Sequence, residues 1–444
     1  MPDPAARSGD GDLRASFLEL KSALFDRNTG LYAFPYHFDE LQRMVEFRPG
    51  LGLLYLEVFD FERVEWLCGW QAFDAILGGI SRELRALRGT GYPASGLLSL
   101  SGVHGGSFIL FVPETFLGTE PNLAELEAMA GGIRRRLSEA LSAAVSPDLL
   151  PGLEISAGYS LLRCEPVFRI ERLVYRAIEE ARLMAAKAAQ REDLRSGAEL
   201  RQIIRAGLVE THFQPIIDVN SGDVFGYEAL ARGPRGTKFE TPRAMFGHSS
   251  RMRISSLLDS VCRRRALHAA RGMDSGKKLF LNSLPATLAE PRFAEDNVRD
   301  LRLGGKLDAA SVVLEITERD GIEDFETFGR RLRRIRDHGF QVAIDDVGTG
   351  YSSLQTISEV RPEFLKIDLS LVQGIHRNLI KQEIVSSILQ IGERIGAKVI
   401  AEGIESEEEF EAVRGFGVRL GQGFFFGAPA PHLPSGEGKP HEGH

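Results

Sequence analysis

Cysteine is scarce in this chain: three residues, Cys68, Cys164 and Cys262, widely spaced and odd in number, with no CxxC pair and no Cys/His cluster. Neither a disulfide framework nor a zinc site is indicated, and a reducing cytoplasm is the expected compartment. Nowhere do about eighteen apolar residues run together, and the opening MPDPAARSGDGD has no apolar h-region. Secretion and membrane spanning are therefore not expected. An excess of basic charge is missing as well. The 62 acidic against 54 basic side chains leave a formal charge of -8, which disfavours the long phosphate-tracking surface of a general nucleic-acid binder. A single charged small ligand stays open.

What the chain has is bulk. With 444 residues, 43% hydrophobic and 26% charged, it lies in the ordinary soluble globular range and is long enough for two domains with sizeable cores. Residues 1–12 and 434–444 are polar and expected to be disordered, so His441 and His444 read as tail rather than ligands. Residues 13–190 read as a mixed α/β domain. Its expected helices lie at 16–25, 35–47, 70–88, 121–144 and 170–189, its strands at 51–59 and 153–162, with a hairpin of GLLSLSG and SFILFV around residues 104–106. A linking helix at 191–200 leads to a second domain over 201–433.

In that second domain short apolar runs recur at roughly the thirty residues that one βα unit takes up. They are THFQPII, VFGYEAL, KLFLN, SVVLEIT, QVAID, FLKID, KVIAE and GQGFFF. Amphipathic helices lie between them. Phe325, Phe328, Leu332 and Ile335 share one helical face, with Arg330, Arg331, Arg333, Arg334 and Arg336 as a solvated remainder and Gly339 as the stop. Ile384, Val385, Ile388, Leu389, Ile391 and Ile395 repeat the design before Gly396. The count of units predicts a TIM-like (β/α)8 barrel with its site at the C-terminal ends of the strands, an α/β fold class.

Nearly every one of these strands ends in a group suited to metal or phosphate chemistry. Glu228 ends VFGYE, Asn282 ends KLFLN, Glu315 sits in VVLEIT, Asp345 and Asp346 end QVAIDD, Lys366 and Asp368 sit in FLKID, and Glu402 ends KVIAE. So many polar ends on apolar strands would be costly to bury unpaired. Successive residues of a regular strand face opposite ways, so Asp345 and Asp346 serve one centre only if the strand ends there, and Gly348 and Gly350 give it the freedom to end. Adjacent carboxylates repel unless a cation sits between them; a helix N-cap with a spare acid is the plain alternative. Glu, Asn and Asp donors suit Mg2+ or Mn2+ rather than zinc, and several carboxylates can hold two such ions for hydrolysis of a phosphodiester. Lys366, two residues from Asp368, either holds the attacking water or a phosphate oxygen or forms a buried salt bridge with Asp368.

Glu228-Ala229-Leu230 is followed by Arg232, and FQPI stands at 213–216, EITE at 315–318, DDVGTGYSSL at 345–354, LKID at 365–368, AEGIE at 401–405 and GQGF at 421–424. With Asn282, these residues make the segment from about 200 to 431 resemble the EAL-domain cyclic di-GMP phosphodiesterases. The resemblance implies a (β/α)8 barrel that linearises cyclic di-GMP to pGpG with two Mg2+ or Mn2+ ions. It implies metal binding by Glu228, Asn282, Glu315, Asp345 and Asp346, and positioning and deprotonation of the water by Lys366 and Glu402. It also implies substrate contacts from Gln214, Leu230, Arg232, Asp368 and Gln422. Glu318 and Glu405 would brace the loop after Asp346, which in the family lies near a homodimer interface. Val347 stands where the family has phenylalanine, a loss of aromatic packing expected to loosen that loop. GPRGTKFETPRAMFGHSS after Arg232 also departs from the family's version of that region.

The first half looks like a degenerate GGDEF domain, on FDRNTGLY at 25–32, YLEVFDFERVEW at 55–66 and VHGGSF at 103–108. The expected aspartates appear as Glu57 and Phe59, the guanine-contacting asparagine aligns with Glu65, Gly106-Ser107 replace the acidic pair, and the RxxD inhibitory motif is missing. A cyclase needs those acids to hold cations against a triphosphate, so no synthesis of cyclic di-GMP is predicted. GTP sensing, binding of a protein partner and dimerisation stay open for this half. For the second half, the intact acidic set favours an active phosphodiesterase over a cyclic di-GMP receptor or a protein-interaction scaffold.

Overall fold

A computed structural model describes residues 23–46, 50–58, 61–103, 105–116, 119–144, 155–163, 167–304, 307–317, 324–348 and 353–433. They fall into two compact units, divided between Ser196 and Gly197.

The first unit begins with a small antiparallel pair, β1 (Phe25–Asp26) and β2 (Leu31–Tyr32). Its main sheet holds β3 (Gly50–Val58), β4 (Leu97–Leu100), β5 (Ser107–Val112) and β6 (Ile155–Arg163), all antiparallel in the order β4-β5-β3-β6. Alternation along β3 explains why the sheet is covered on both faces. Leu51, Leu53 and Tyr55 join one core with Val174, Ile178 and Ala181 of the helix Ile170–Ala206; Leu54, Leu56 and Val58 join another with Leu77, Ile80, Ile133 and Leu137. At Gly158 of β6 a Cβ would stand 1.9 Å from the Ala181 carbonyl oxygen, so only glycine permits this approach of helix to sheet.

Three expectations for this half change. The helix expected at 16–25 lies mostly outside the described residues, and Phe25 belongs to β1. The helix expected at 70–88 starts at Phe61 and runs across a non-helical Gly69 at φ 81°. The helices expected at 170–189 and 191–200 are one, Ile170–Ala206, because no proline interrupts the segment and Gly197 alone costs a helix only about 1 kcal/mol.

The second unit is a closed barrel of eight strands. They are β7 (Glu210–Asp218), β8 (Val224–Arg232), β9 (Lys278–Asn282), β10 (Val312–Thr317), β11 (Gln341–Val347), β12 (Phe364–Ile367), β13 (Lys398–Ala401) and β14 (Leu420–Gly421). Neighbours from β8 to β14 are parallel, while β7 is antiparallel to both β8 and β14. The uniform βα repeat is thus corrected at its first step. Residues 219–223 are too few for a crossover helix, and Gly222 at φ 76° closes a turn between β7 and β8 instead.

Strand residues sort alternately into two cores. Leu279, Leu281, Leu314, Ile344, Leu365 and Val399 pack outward with helix residues such as Leu332, Ile335 and Ile388, whereas Ile216, Phe280, Val313, Ala343, Phe364, Ile400 and Leu420 fill the interior. On the helix Phe325–Asp337, Phe328, Leu332 and Ile335 are buried as expected. Its arginines are more than a solvated face, since Arg330, Arg334 and Arg336 pair with Glu326, Glu295 and Glu363. On the helix Leu379–Ile395, Val385 and Ile388 are buried but Ile384 and Ile395 are exposed. Among the described residues no helix is long and apolar enough to cross a membrane.

Candidate active site

The interior alternation places the site. Phe280, Val313, Ala343, Phe364 and Ile400 form an apolar floor, and two residues further along each strand, on the same face, come Asn282, Glu315, Asp345, Lys366 and Glu402. Glu228 of β8 joins them, in register with Gln214 on one side and Phe280 on the other. Lys366, fully buried, is the hub. Its Nζ lies 2.6 Å from Glu402, 2.7 Å from Glu315, and 3.4 Å from both Glu228 and Asp345. The alternative of a salt bridge between Lys366 and Asp368 is corrected: β12 stops at Ile367, and the Asp368 carboxylate accepts from the Ser370 N–H at 2.8 Å as the N-cap of the helix Leu369–Val372.

The paired aspartates reach one centre by a different route from a strand end. Asp346 takes a left-handed φ of 57°, and the register between β11 and β12 slips between Ile344 and Val347. This irregularity turns two consecutive side chains the same way. One oxygen each from Asp345, Asp346 and Glu402 lie within 4.8 Å of one another. The strand continues through Val347, which is buried and opposite Ile367, so the N-cap alternative for the pair falls away.

A layer of amides holds Glu228. Asn282 donates through Nδ2 to its Oε1 at 3.0 Å, which leaves the Asn282 carbonyl oxygen for a cation. Gln422 donates through Nε2 to Glu228 Oε2 at 2.6 Å and to Gln214 Oε1 at 2.9 Å, and Gln214 in turn donates to the Gly427 carbonyl at 3.2 Å. Leu230 lines a cavity of about 430 Å³ together with Glu228, Asn282, Glu315 and Thr317. Arg232, half-buried, donates to the Ala231 carbonyl at 2.8 Å. Glu318 and residues 349–352 lie outside the described residues, as do Phe59 and His104 of the first unit, and of Glu65 only the helical backbone is described. Glu405 is exposed, and its backbone N–H donates to Glu409 at 3.0 Å. Glu409 is the residue that a reading of strand ends passes over; the spacing Ser406-x-x-Glu409, a capping-box pattern, is the signal that marks it.

The electrostatics follow from burial and crowding. Burial, then the charge of Asp345, push Glu402 well above the usual carboxylate range, and burial does the same to Glu315, with Lys366 opposing in both cases. For Glu228 burial works against the charged form, but Lys366, Gln422 and Asn282 outweigh it and hold the carboxyl below its ordinary value. Lys366 loses hydration, yet Asp345, Glu228, Glu315 and Glu402 keep its proton on well above the ordinary lysine value. Four carboxylates surround one ammonium, and Glu315 Oε2 is buried with no hydrogen-bond donor. An oxygen-only donor set, with Glu228, Glu315 and Asp345 buried and more carboxylates than the one ammonium balances, fits hard divalent cations. In the first unit, Glu57 lies opposite Ser107 with the Tyr55 hydroxyl donating to it at 3.5 Å, and burial raises its pKa.

Comparison with known proteins places the barrel. The EAL domain family model matches residues 198–429. An uncharacterized signaling protein of Caulobacter vibrioides is 29% identical over 400 residues, 86% of this chain and 47% of that protein. The cyclic di-GMP phosphodiesterase NbdA of Pseudomonas aeruginosa is 29% identical over 256 residues, 56% of this chain and 32% of that protein. The chain thus spans about half the length, or less, of these curated relatives. Among solved structures, the EAL enzyme Bd1971 in its cAMP and cyclic di-GMP bound form is 24% identical with a TM-score of 0.50, covering 63% of this chain and 80% of that one, a likeness of fold.

Proposed function

We propose that this chain, which belongs to the EAL domain family, is a metal-dependent phosphodiesterase that hydrolyses cyclic di-GMP to linear pGpG. The observation that carries this reading is the ring of Glu228, Glu315, Asp345 and Glu402 around Lys366, delivered by separate strands to one end of a barrel. The name of the relative NbdA supports the substrate. Glu228, Asn282, Glu315, Asp345 and Asp346 would hold two Mg2+ or Mn2+ ions, which when bound supply Lewis-acid polarisation of the phosphate and a more acidic attacking water. Glu402 is the general base, its raised affinity for a proton matching that task. Lys366 stays charged, so it acts by orienting Glu402 and the water rather than by taking a proton. Gln214, Arg232 and Gln422 hold the phosphate and base edges, Leu230 gives an apolar wall, and Asp368 keeps the oxygen not used in its cap for the substrate.

The first unit is read as a degenerate GGDEF-like domain in a regulatory role without cyclase activity, a reading supported by the single half-buried Glu57 at the place of the lost aspartates. Leu379 and Ile380, 77% and 73% exposed at the start of the helix Leu379–Ile395, support a homodimer through the second unit. The test is direct. The purified chain with cyclic di-GMP and Mg2+ or Mn2+ is expected to release pGpG, and Glu228→Ala and Glu402→Ala to lower kcat by about 100-fold or more. Tight binding with no pGpG formed would replace the enzyme by a receptor. Neither binding nor turnover would leave a protein-interaction scaffold.

A further inference from the structure

Lys366 and Glu402, 2.6 Å apart, stand at the ends of the neighbouring strands β12 and β13, and each is followed by its own connecting segment. One buried side chain joins those two segments. Glu409, 7% exposed on the helix Glu407–Gly415, accepts at Oε1 from the Gly374 N–H (2.8 Å) and at Oε2 from the N–H groups of Glu405 (3.0 Å) and Ser406 (3.3 Å). Gly374, left-handed at φ 68°, lies on the segment that Asp368 opens after β12, whereas Glu405 and Ser406 follow Glu402. The segments also touch directly: at Gly403, φ 68°, a Cβ would stand 2.4 Å from Leu369 Cβ, so the residue after Glu402 must be glycine for the residue after Asp368 to fit. Burial works against the charged form of Glu409, but its backbone donors win and hold the carboxyl below its ordinary value.

We propose that Glu409 is a positioning residue whose carboxylate ties residues 368–374 to residues 403–406 and so fixes the placement of Lys366 against Glu402. The proposal rests on the phosphodiesterase reading above. A helix cap alone does not require it. The cap is already served by the Ser406 hydroxyl, which accepts from the Glu409 N–H at 3.3 Å, whereas the bond from Gly374 reaches outside the helix and its cap.

The experiment measures kcat and KM for cyclic di-GMP hydrolysis in the full chain. A displacement of about 1 Å at a reacting group costs on the order of 100-fold, so Glu409→Ala is expected to lower kcat by about 10- to 100-fold with KM within about twofold. Glu409→Gln, whose one amide oxygen can accept from only one of the two segments, is expected to fall between Ala and wild type. Ser406→Ala removes the hydroxyl half of the cap but leaves the carboxylate bridge, and its kcat is expected to stay within about twofold of wild type. Equal kcat in wild type and Glu409→Ala would overturn the proposal, as would an equal loss in Ser406→Ala and Glu409→Ala. If Glu409→Ala does not fold by circular dichroism, Glu409→Gln against Ser406→Ala decides by the same comparison. A wild-type chain without turnover sinks the phosphodiesterase reading, and this proposal with it.

Discussion

At the scale of the residue, the ammonium group of Lys366 governs how the surrounding acids respond to substitution and to pH. Replacing Lys366 by Met leaves Glu228, Glu315, Asp345 and Glu402 facing one another, and removing one partner of a buried ionic group costs roughly 3–5 kcal/mol. Metal-free Lys366→Met is therefore expected to melt well below wild type, with Mn2+ raising its melting temperature by more than it raises that of wild type. Equal shifts in calorimetry would show that cations do not take over the charge balance of the site. The pH dependence has a definite sign. Burial pushes the Glu315 and Glu402 carboxyls above their unfolded values, so these two groups bind more protons in the folded chain, and their contribution to metal-free stability should rise as pH falls from alkaline values toward the ordinary carboxylate range. Glu409 runs the other way: its contribution stands above the ordinary carboxylate value and is lost as pH falls through its lowered folded value. On the ligand set proposed above, divalent cations would compete with the proton on Glu315, so the stabilisation by Mg2+ should be larger at alkaline pH. Melting curves in EDTA and in Mg2+ across pH check both signs.

At the scale of the element, β11 shows what a sequence reveals and what it withholds. That QVAIDD is a strand carrying acid was legible from its apolar run breaking into carboxylates, though the run alone left a helix N-cap open and the other polar strand ends tipped the balance. That Asp346 bends the strand at φ 57° was not, since Gly348 and Gly350 already offer the strand a way to end and a left-handed aspartate leaves no mark in sequence. The strain is testable: Asp346→Gly and Asp346→Ala lose the same carboxylate, but the alanine is expected to be less stable by about 1 kcal/mol in denaturant titrations of the metal-free chain, because only its Cβ disfavours this conformation. Equal stability would mean that the bulge relaxes. The reversed β7 was legible in principle, since residues 219–223 cannot hold a crossover helix, but the recurrence of apolar runs conceals strand direction. The supposed Lys366–Asp368 pair failed because a two-residue spacing shares a face only while the strand lasts. Within the acidic run ESEEEF the capping-box spacing singles out Glu409 as a helix cap, but its bond to Gly374 on another segment leaves no mark in sequence.

At the scale of the whole molecule, the division between Ser196 and Gly197 falls inside the helix Ile170–Ala206, which decides where the chain can be cut. Leu200 and Ile203 on that helix are buried with Met245, Leu258 and Val261 of the barrel unit. A chain beginning at Gly197 keeps them and is expected to fold and retain some hydrolysis of cyclic di-GMP. One beginning at Gly207 loses two buried side chains, each contributing about 1.5–3 kcal/mol, and is expected to melt lower. Circular dichroism and the hydrolysis assay on the two truncations check this; a folded chain from Gly197 with no activity would count against the barrel as the sole catalytic unit. That the expected linker 191–200 continues the preceding helix was not legible, because nothing in AAQREDLRSGAEL marks where one helix would stop and another begin.

The lysine seated among the acids has one more consequence. It is a resident counter-ion for Glu228, Glu315, Asp345 and Glu402, so with divalent ions bound as proposed above, the acids would keep an internal partner after those ions leave. A chain stripped with EDTA would then be expected to regain its activity on return of Mg2+ or Mn2+ without a refolding step.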